Sequence, residues 1–589
     1  MFSYTHKIRT WMSTHVLALI VGFFIALLVV SPHIRAWQIV GSENFEGIYP
    51  AFNDDEITYQ ARIKEALDGH SFIGNPYIKE HADDSFIMPP VAEWFVASVA
   101  WFTNTSVPFV TSTSDFFLAF LNFLLVYALF LILTKRNKWM ALFYTTIFFV
   151  FSLGAMGRPV SPQLNAVPMF LGLIVIAKLH FENGGEMRKW NILAGLFTGI
   201  TCFFYPYFFT TLLVLYGVLM MSGVFIERSI EPIKKHVPWF LYSFVPFASL
   251  YIFFQLQAGQ DAFYTETLAR YGLFHTYLPG SFTNVALAVL AGGVLVVAFR
   301  MLNMREIAFG GSIVLSIVIL NWQNVITGAS LQFSSHYQLT TVLSVLMVLA
   351  LVNRALETVT VQNLLQPKRL VVAFSILFVL LVLAENRKEE YLNIALMPHS
   401  KAELLEQQKD MEVFDWFNTH TEPDSVVYTL GGSYDFLLPV YTKNKVFYNF
   451  YAALYPASNS ETEERWLVQH IFDERMSTST IRDRQRDFWG NRFIDSYQSN
   501  ESRRKIRALL TRSEYVPLLM VDEQYIDEMF KRWTQMNTKP IQEVLGKYTI
   551  DYILLSRDYP DFENVRRRIE AMGGLELVGE TNRVLVYSL

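Results

Sequence analysis

Long apolar runs alternate with short polar stretches over the first two thirds of the chain. About twenty predominantly apolar residues cross a bilayer as a helix. On that measure the pattern predicts eleven spans, near 14–31, 115–134, 139–156, 163–179, 190–205, 207–226, 237–255, 283–300, 306–320, 337–353 and 369–384. The fifth and sixth form one continuous apolar run, divided at Tyr205-Pro206-Tyr207 because proline blocks helix continuation. Lys7 and Arg9 precede the first run, Val16 to Val30, as in a signal peptide. No small-residue cleavage site follows, so this run is expected to remain as a span. A stretch of about a dozen residues, Val91 to Phe102, is rich in Trp and Phe but too short to cross, and is expected to lie at the lipid interface.

Beyond residue 384 the pattern changes to that of a water-soluble sequence. Strands are expected at Ser425–Leu430, Lys445–Tyr448 and Tyr552–Ser556, with a long charged helical stretch over about 460–535. A helix from Asn564 to Met572 and a terminal hairpin, with strands starting at Glu576 and Arg583, complete a small α/β domain. The expected fold class is thus an α-helical polytopic membrane domain, 1–384, with a large first loop at 31–114, followed by an extracytoplasmic soluble α/β domain at 385–589.

Charge then orients the spans. Lys135, Arg136, Lys138, Arg188, Lys189, Arg228, Lys234, Lys235, Arg300 and Arg305 all fall in alternate loops, on the side of Lys7 and Arg9. The short loops on the other side hold only Arg158 and Arg270. Cytoplasmic loops carry the excess of Lys and Arg, which puts the N-terminus inside and the C-terminal domain outside. Composition agrees, with 17% charged residues against about 25% in an average soluble domain. A net charge of −5 without a basic stripe argues against a nucleic-acid partner. One cysteine, Cys202, excludes an intrachain disulfide. The mid-points of the expected spans lack ionisable residues, which weighs against an ion- or proton-coupled transporter.

Candidate chemistry concentrates in the first loop, at Phe52-Asn53-Asp54-Asp55-Glu56. Three adjacent carboxylates repel one another, and a site in which one acts as general base gives a reason to keep them together. The plainer reading is helix capping, since Asn53 and Glu56 have capping-box spacing and acids favour a helix N-terminus. Both readings hold together if the helix start fixes a catalytic carboxylate. His81, Asp83 and Asp84 in the same loop could join Asp54 or Asp55 around Mg or Mn, although such residues in a polar loop are more often simply solvated. An anionic substrate needs a cation, and Arg270 and Arg158 stand where a lipid phosphate would lie, with snorkelling to ordinary head groups as the alternative. His336 and Tyr337 stand at the outer start of the tenth span. The cations and aromatics of Arg482–Phe493 suit either glycan contact or a solvated, ion-paired helix.

This layout resembles the GT-C superfamily of membrane glycosyltransferases, which take sugars from polyprenyl-phosphate carriers. The resemblance rests on the cytoplasmic N-terminus, about eleven spans, the acidic pair Asp54-Asp55 with Glu56 soon after the first span, and the external C-terminal domain with Lys547-Tyr-Thr-Ile-Asp-Tyr552-Ile-Leu-Leu. It departs from the pattern at Gly154–Gln163, where some members carry a second acidic motif; Asp261 or Glu266 are the substitutes available. The Trp-Trp-Asp signature of oligosaccharyltransferases is absent. The resemblance implies inverting transfer from a polyprenyl-phosphate sugar to a glycan, lipid or protein acceptor at the outer face of the cell membrane. Asp54 or Asp55 would be the base and Arg270 the phosphate partner. The alternatives are a non-catalytic lipid- or glycan-binding assembly protein, then a transporter or flippase.

Overall fold

The computed structural model describes the chain except residues 1, 53, 71, 87, 183–185, 274, 278, 280–281, 330–333, 357–397, 494–500, 502–503, 506 and 516–520. Among the described residues eight segments are long and apolar enough to cross a membrane, and the chain is a multi-pass membrane protein. The membrane helices are α1 (Phe2–Val40), α4 (Val107–Leu133), α5 (Lys138–Phe151), α6 (Asn165–Phe181), α7 (Met187–Thr201), α8 (Pro206–Glu227), α9 (Glu231–Ala258), α11 (Phe282–Ala298), α12 (Met304–Trp322) and α13 (Gln338–Leu356). The break at Pro206 forms as expected, with proline in the first turn of α8, where its missing N–H costs nothing. The eleventh expected span lies outside the described residues. α7 and α11 fall short of spanning length.

Helices in lipid gain little from apolar contact alone and associate where small residues let backbones approach. Gly195 and Gly199 of α7 do this against α9. A Cβ on Gly195 would stand 2.1 Å from the Phe240 carbonyl oxygen, and one on Gly199 would meet the Phe247 side chain at 2.8 Å.

Between α1 and α4 the first loop folds into α2 (Asp54–Asp68) and α3 (Val91–Thr103). α3 exposes Phe95, Trp101 and Phe102, as a helix lying at a lipid interface would. Later in the chain a short helix, α10 (Tyr264–Tyr271), precedes α11.

The C-terminal domain opens with α14 (Pro398–Gln408) and α15 (Met411–His420) and is built on a five-stranded sheet in the order β2-β1-β3-β5-β4. Its strands are β1 (Val426–Leu430), β2 (Lys445–Val446), β3 (Tyr552–Ser556), β4 (Glu576–Glu580) and β5 (Val584–Ser588). β2, β1 and β3 run parallel, while β5 is antiparallel to both β3 and β4. Strands buried on both faces read as continuous apolar runs, and Val426–Leu430 is buried at every position. The expected long helical stretch is instead a series of short helices. α16 (Asn459–Gln469) ends early, Thr478–Asp483 and Arg486–Trp489 follow, and α17 (Glu523–Asn537) comes only later. Gly490 stops one of these segments with φ of 53°, and a Cβ there would stand 2.6 Å from the Arg270 carbonyl oxygen.

The first loop and the C-terminal domain share one core. Ile48, Ala61, Tyr77 and Ile78 pack with Val413, Val426 and Tyr455. Polar links reinforce it: Gln408 bonds the backbone of Glu46 and Ile48, and the buried Lys445 ammonium stands 2.5 Å from Glu65. The basic loops gather at the opposite end of the bundle. Arg136 pairs with Glu182, His180 bonds the Arg305 carbonyl, and Arg354 bonds both Glu306 and the Leu133 carbonyl. If this basic end is cytoplasmic, then in a Cys202→Ala background single cysteines at Glu43 and Thr419 should react with an impermeant thiol reagent added outside cells. One at Glu231 should react only after permeabilisation. The reverse pattern would invert the molecule.

Candidate active site

A cavity of about 890 Å³ lies where the membrane helices meet the first loop and the C-terminal domain. The turn of α2 supplies Asp55, Thr58, Tyr59 and Arg62; the wide turn after α5 supplies Arg158 and Ser161; the α7–α8 break supplies Tyr205 and Tyr207. His336 and Gln338 enter from the start of α13, Tyr264 and Tyr271 from α10, and Tyr451 and Tyr455 from the C-terminal domain. Tyrosines from several segments line it together with polar side chains such as Thr58, Ser161 and Gln338, and the volume falls in the range of ligand pockets.

At its centre Asp55 accepts from the Arg158 guanidinium. Asp55 sits in the first turn of α2, where the helix dipole favours a carboxylate. Arg158 precedes Pro159, which pre-sets the following turn. His336 bonds the Tyr205 hydroxyl and stacks on Tyr207 at 4.6 Å between ring centres. Burial, with the Arg158 charge adding to it, pulls the His336 imidazole down to about 4, so it is neutral at physiological pH. Tyr337 lies beneath, buried, with its hydroxyl 2.9 Å from Thr210 Oγ1. Of the residues expected to form the site, the structure therefore brings Asp55, Arg158 and His336 to one cavity. Tyr337 supports them from behind. Asp54 begins α2 beside Asp55.

Glu56 turns away from the cavity into the protein. One carboxylate oxygen accepts from the Phe52 amide at 3.4 Å, and the other is buried with no hydrogen-bond partner among the described residues. Burial raises its pKa to about 7, with His33 opposing and Asp115 adding to the shift. His33 and Asp115 are 3.1 Å apart, and Gln163 donates to the other Asp115 oxygen at 2.8 Å. Asp115 was expected at the very start of its span. The helix begins eight residues earlier, at Val107, so this carboxylate lies inside α4, and a buried ionisable pair stands near the candidate base. Glu56 is buried and is not among the residues that line the cavity.

Arg270 also departs from expectation. It is fully buried and clamps the C-terminal domain: its guanidinium donates to the carbonyls of Ala453, Tyr455 and Ala457, to Asn459 Oδ1 and to Thr267 Oγ1. Held in this way and fully buried, Arg270 is absent from the cavity lining, which Arg158 joins. The cavity's other cation among the described lining residues, Arg62, is held by Glu93 at 2.6 Å.

The metal expectation also changes. Among the described residues no group of three His, Cys, Asp or Glu side chains is arranged to hold a metal ion. His81 is held by Asp84 at 2.5 Å and by Glu461 at 3.0 Å. Burial opposes its charge, but the hydrogen bonds to Asp84 and Glu461 outweigh it and lift the pKa to about 9. A protonated imidazole has no lone pair for a metal. Burial likewise opposes the Glu461 charge, yet His81 and Arg465 bring that carboxyl down to about 2. His81 thus links the first loop to the C-terminal domain through Glu461, and with its lone pair taken up by a proton it does not fit Mg or Mn.

The cavity's tyrosines gave no signal in the sequence, because they come from segments far apart in the chain. Tyr205 and Tyr207 drew notice only as flanks of a turn. The segment around Arg482 resolves into ion pairs, Arg482 with Glu523 and Arg492 with Glu463, around a buried Trp489.

No family model matches the sequence, and no curated protein matches it. Among solved structures, ArnT from Cupriavidus metallidurans bound to undecaprenyl phosphate is 12% identical and has a TM-score of 0.46, covering 98% of this chain and 98% of its own. The apo form of the same protein gives 12%, 0.43, 96% and 97%. An oligosaccharyltransferase from Archaeoglobus fulgidus, in the apo form, is 11% identical with a TM-score of 0.42, over 92% of this chain and 69% of its own. What the site does has to be read from its own side chains.

Two variants test these assignments. Arg270→Gln should lower the melting temperature of the purified protein, with a loss of at least about 2 kcal/mol, because charged hydrogen bonds are worth about 1.5–3 kcal/mol each. The contribution of His81 is full below its unfolded value of 6.5 and is lost as the pH rises through about 9. That of Glu461 is full above 4.5 and is lost as the pH falls through about 2. The stability gap between wild type and His81→Gln should therefore be widest between pH 4.5 and 6.5 and close toward pH 9. A gap that widens above pH 7 would contradict the ion-pair assignment.

Proposed function

We propose that the chain is a GT-C-type membrane glycosyltransferase that moves a sugar from a polyprenyl-phosphate donor to an acceptor on the extracytoplasmic face. The observation that carries this reading is the Asp55–Arg158 pair in an aromatic-walled cavity at the end of the bundle away from the basic loops. A sugar linked to a lipid phosphate already carries a good leaving group. What remains to be supplied is a base for the acceptor hydroxyl and a cation for the departing phosphate.

Both are present and adjacent. As the donor phosphate enters, it competes with Asp55 for the Arg158 guanidinium, whose planar fork suits two phosphate oxygens. Asp55, released, accepts the proton of the acceptor hydroxyl. The acceptor oxygen attacks the anomeric carbon, the bond from that carbon to the phosphate oxygen breaks, and the lipid phosphate leaves against Arg158. A single displacement inverts the anomeric centre. His336, neutral and tied to Tyr205, keeps positive charge at the site concentrated on Arg158. Tyr59 and Tyr205 line the same cavity and would orient sugar hydroxyls there.

In vesicles carrying a labelled polyprenyl-phosphate sugar, Asp55→Asn should insert normally and lose transfer at least a hundredfold, the scale of a general base. Arg158→Ala should lose both donor binding and transfer, whereas Arg158→Lys should recover part of the binding through its point charge. Transfer that survives Asp55→Asn unchanged would remove Asp55 from the mechanism. Donor binding without turnover by the wild type would favour a non-catalytic lipid-binding protein.

A further inference from the structure

A second cavity, of about 760 Å³, opens in the C-terminal domain. It lies at the carboxyl ends of the adjacent parallel strands β1 and β3, where Gly431-Gly432-Ser433 follows β1 and Tyr559 follows β3. In sheets with parallel strands the crevice beyond those ends, where neighbouring connections diverge, is the usual ligand position. Here the chain passes from β1 to β2 on one side, while β3 lies on the other. The two glycines keep the crevice open. Both have positive φ, 88° and 64°, and a Cβ on Gly431 would stand 3.1 Å from Ser556 and Tyr559.

The lining selects among ligands. Half-buried rings of Phe436, Phe450 and Tyr559 offer apolar faces. Asp435 and Gln469 offer planar polar ends, and the Gln469 side-chain oxygen is buried with no hydrogen-bond partner among the described residues. The carboxylates of Asp435, Asp473, Glu474, Asp487 and Asp561 outnumber the cations Arg475 and Arg484. His470 adds no charge, since burial brings it down to about 4. Phosphates, nucleotides and acidic polymers are therefore disfavoured. A carbohydrate presents alternating apolar C–H faces and hydroxyls that both donate and accept, and these match rings interleaved with carboxylate and amide groups. Loss of hydration raises the Asp435 carboxyl to about 7, so near neutrality it can donate to or accept from a hydroxyl.

The position relative to the first cavity completes the inference. Tyr451 lines both cavities, and on α2 Ile57 faces this one while Thr58 faces the other. We propose that this crevice binds an uncharged or amino-sugar glycan chain and holds the part of the acceptor remote from the transferred sugar. Calling that glycan the acceptor rests on the transfer reading above; the binding itself does not.

The test uses the full-length protein in lipid nanodiscs, without donor, titrated calorimetrically with neutral oligosaccharides, amino-sugar oligosaccharides and short peptides. Saturable binding of one of the oligosaccharide classes is expected, weakened at least tenfold by Asp435→Asn and by Ser433→Trp, which fills the mouth. Unchanged melting temperatures show that the variants fold, and Asp435→Asn carries the test alone if the tryptophan does not. Which oligosaccharide class binds decides whether the acidic excess serves an ammonium or only hydroxyls. The proposal is overturned if no oligosaccharide binds saturably, if both crevice variants bind as wild type does, or if peptides bind in preference. Crevice-dependent glycan binding in a protein that transfers no sugar would remove the transfer reading and leave this one standing.

Discussion

Everything at the candidate site depends on a clamp of buried polar contacts between the C-terminal domain and the rest of the chain. Arg270 is its strongest point. A guanidinium withdrawn from water is tolerated only when its donors are met, and three backbone carbonyls, Asn459 and Thr267 meet them. The Lys445–Glu65 contact and the His81–Glu461 pair extend the clamp along the first loop. Without it Tyr451 and Tyr455 would not roof the cavity, and α2 would lose the packing that fixes Asp55.

The same constraint explains how the charges are divided. Cations that hold the first loop to the C-terminal domain are buried against carboxylates, as with Lys445 and Glu65. Asp55 and Arg158 are the more exposed pair, with 53% and 29% of their side chains accessible. A surface ion pair contributes little to stability, so on the proposed reading an incoming phosphate would exchange partners at small cost. Binding machinery and structural clamp thus draw on the same residue types, and burial separates their roles.

Much of the layout could be read from hydrophobic periodicity. The helix break before Pro206, the strand at Val426–Leu430 and the terminal hairpin follow from local chemistry, and they form where expected. Asp55 was legible because three adjacent acids at a helix start are unusual in any context. Arg270 was misread because its partners in the C-terminal domain lie more than 180 residues away in sequence, and no local pattern distinguishes a buried arginine from one facing a lipid phosphate. Glu56 stood in the sequence as one of three equivalent acids. One residue along a helix rotates the side chain by about 100°, which separates a cavity-facing Asp55 from a buried Glu56. The charged stretch after residue 460 looked like one helix, but Gly490 and the backbone bond from Asn491 to the Arg270 carbonyl turn the chain back onto α10.

The central claim is that Arg158 receives a lipid phosphate beside Asp55. It is tested most directly by a structure of the protein in a lipid nanodisc with a non-transferable polyprenyl-phosphate sugar bound. The account predicts the phosphate within about 3 Å of the Arg158 guanidinium, charge-assisted hydrogen-bond distance. Asp55 should be released toward the anomeric carbon, with Arg270 still clamped to the C-terminal domain. A phosphate bound at any other cation, with the Asp55–Arg158 pair intact, would contradict it.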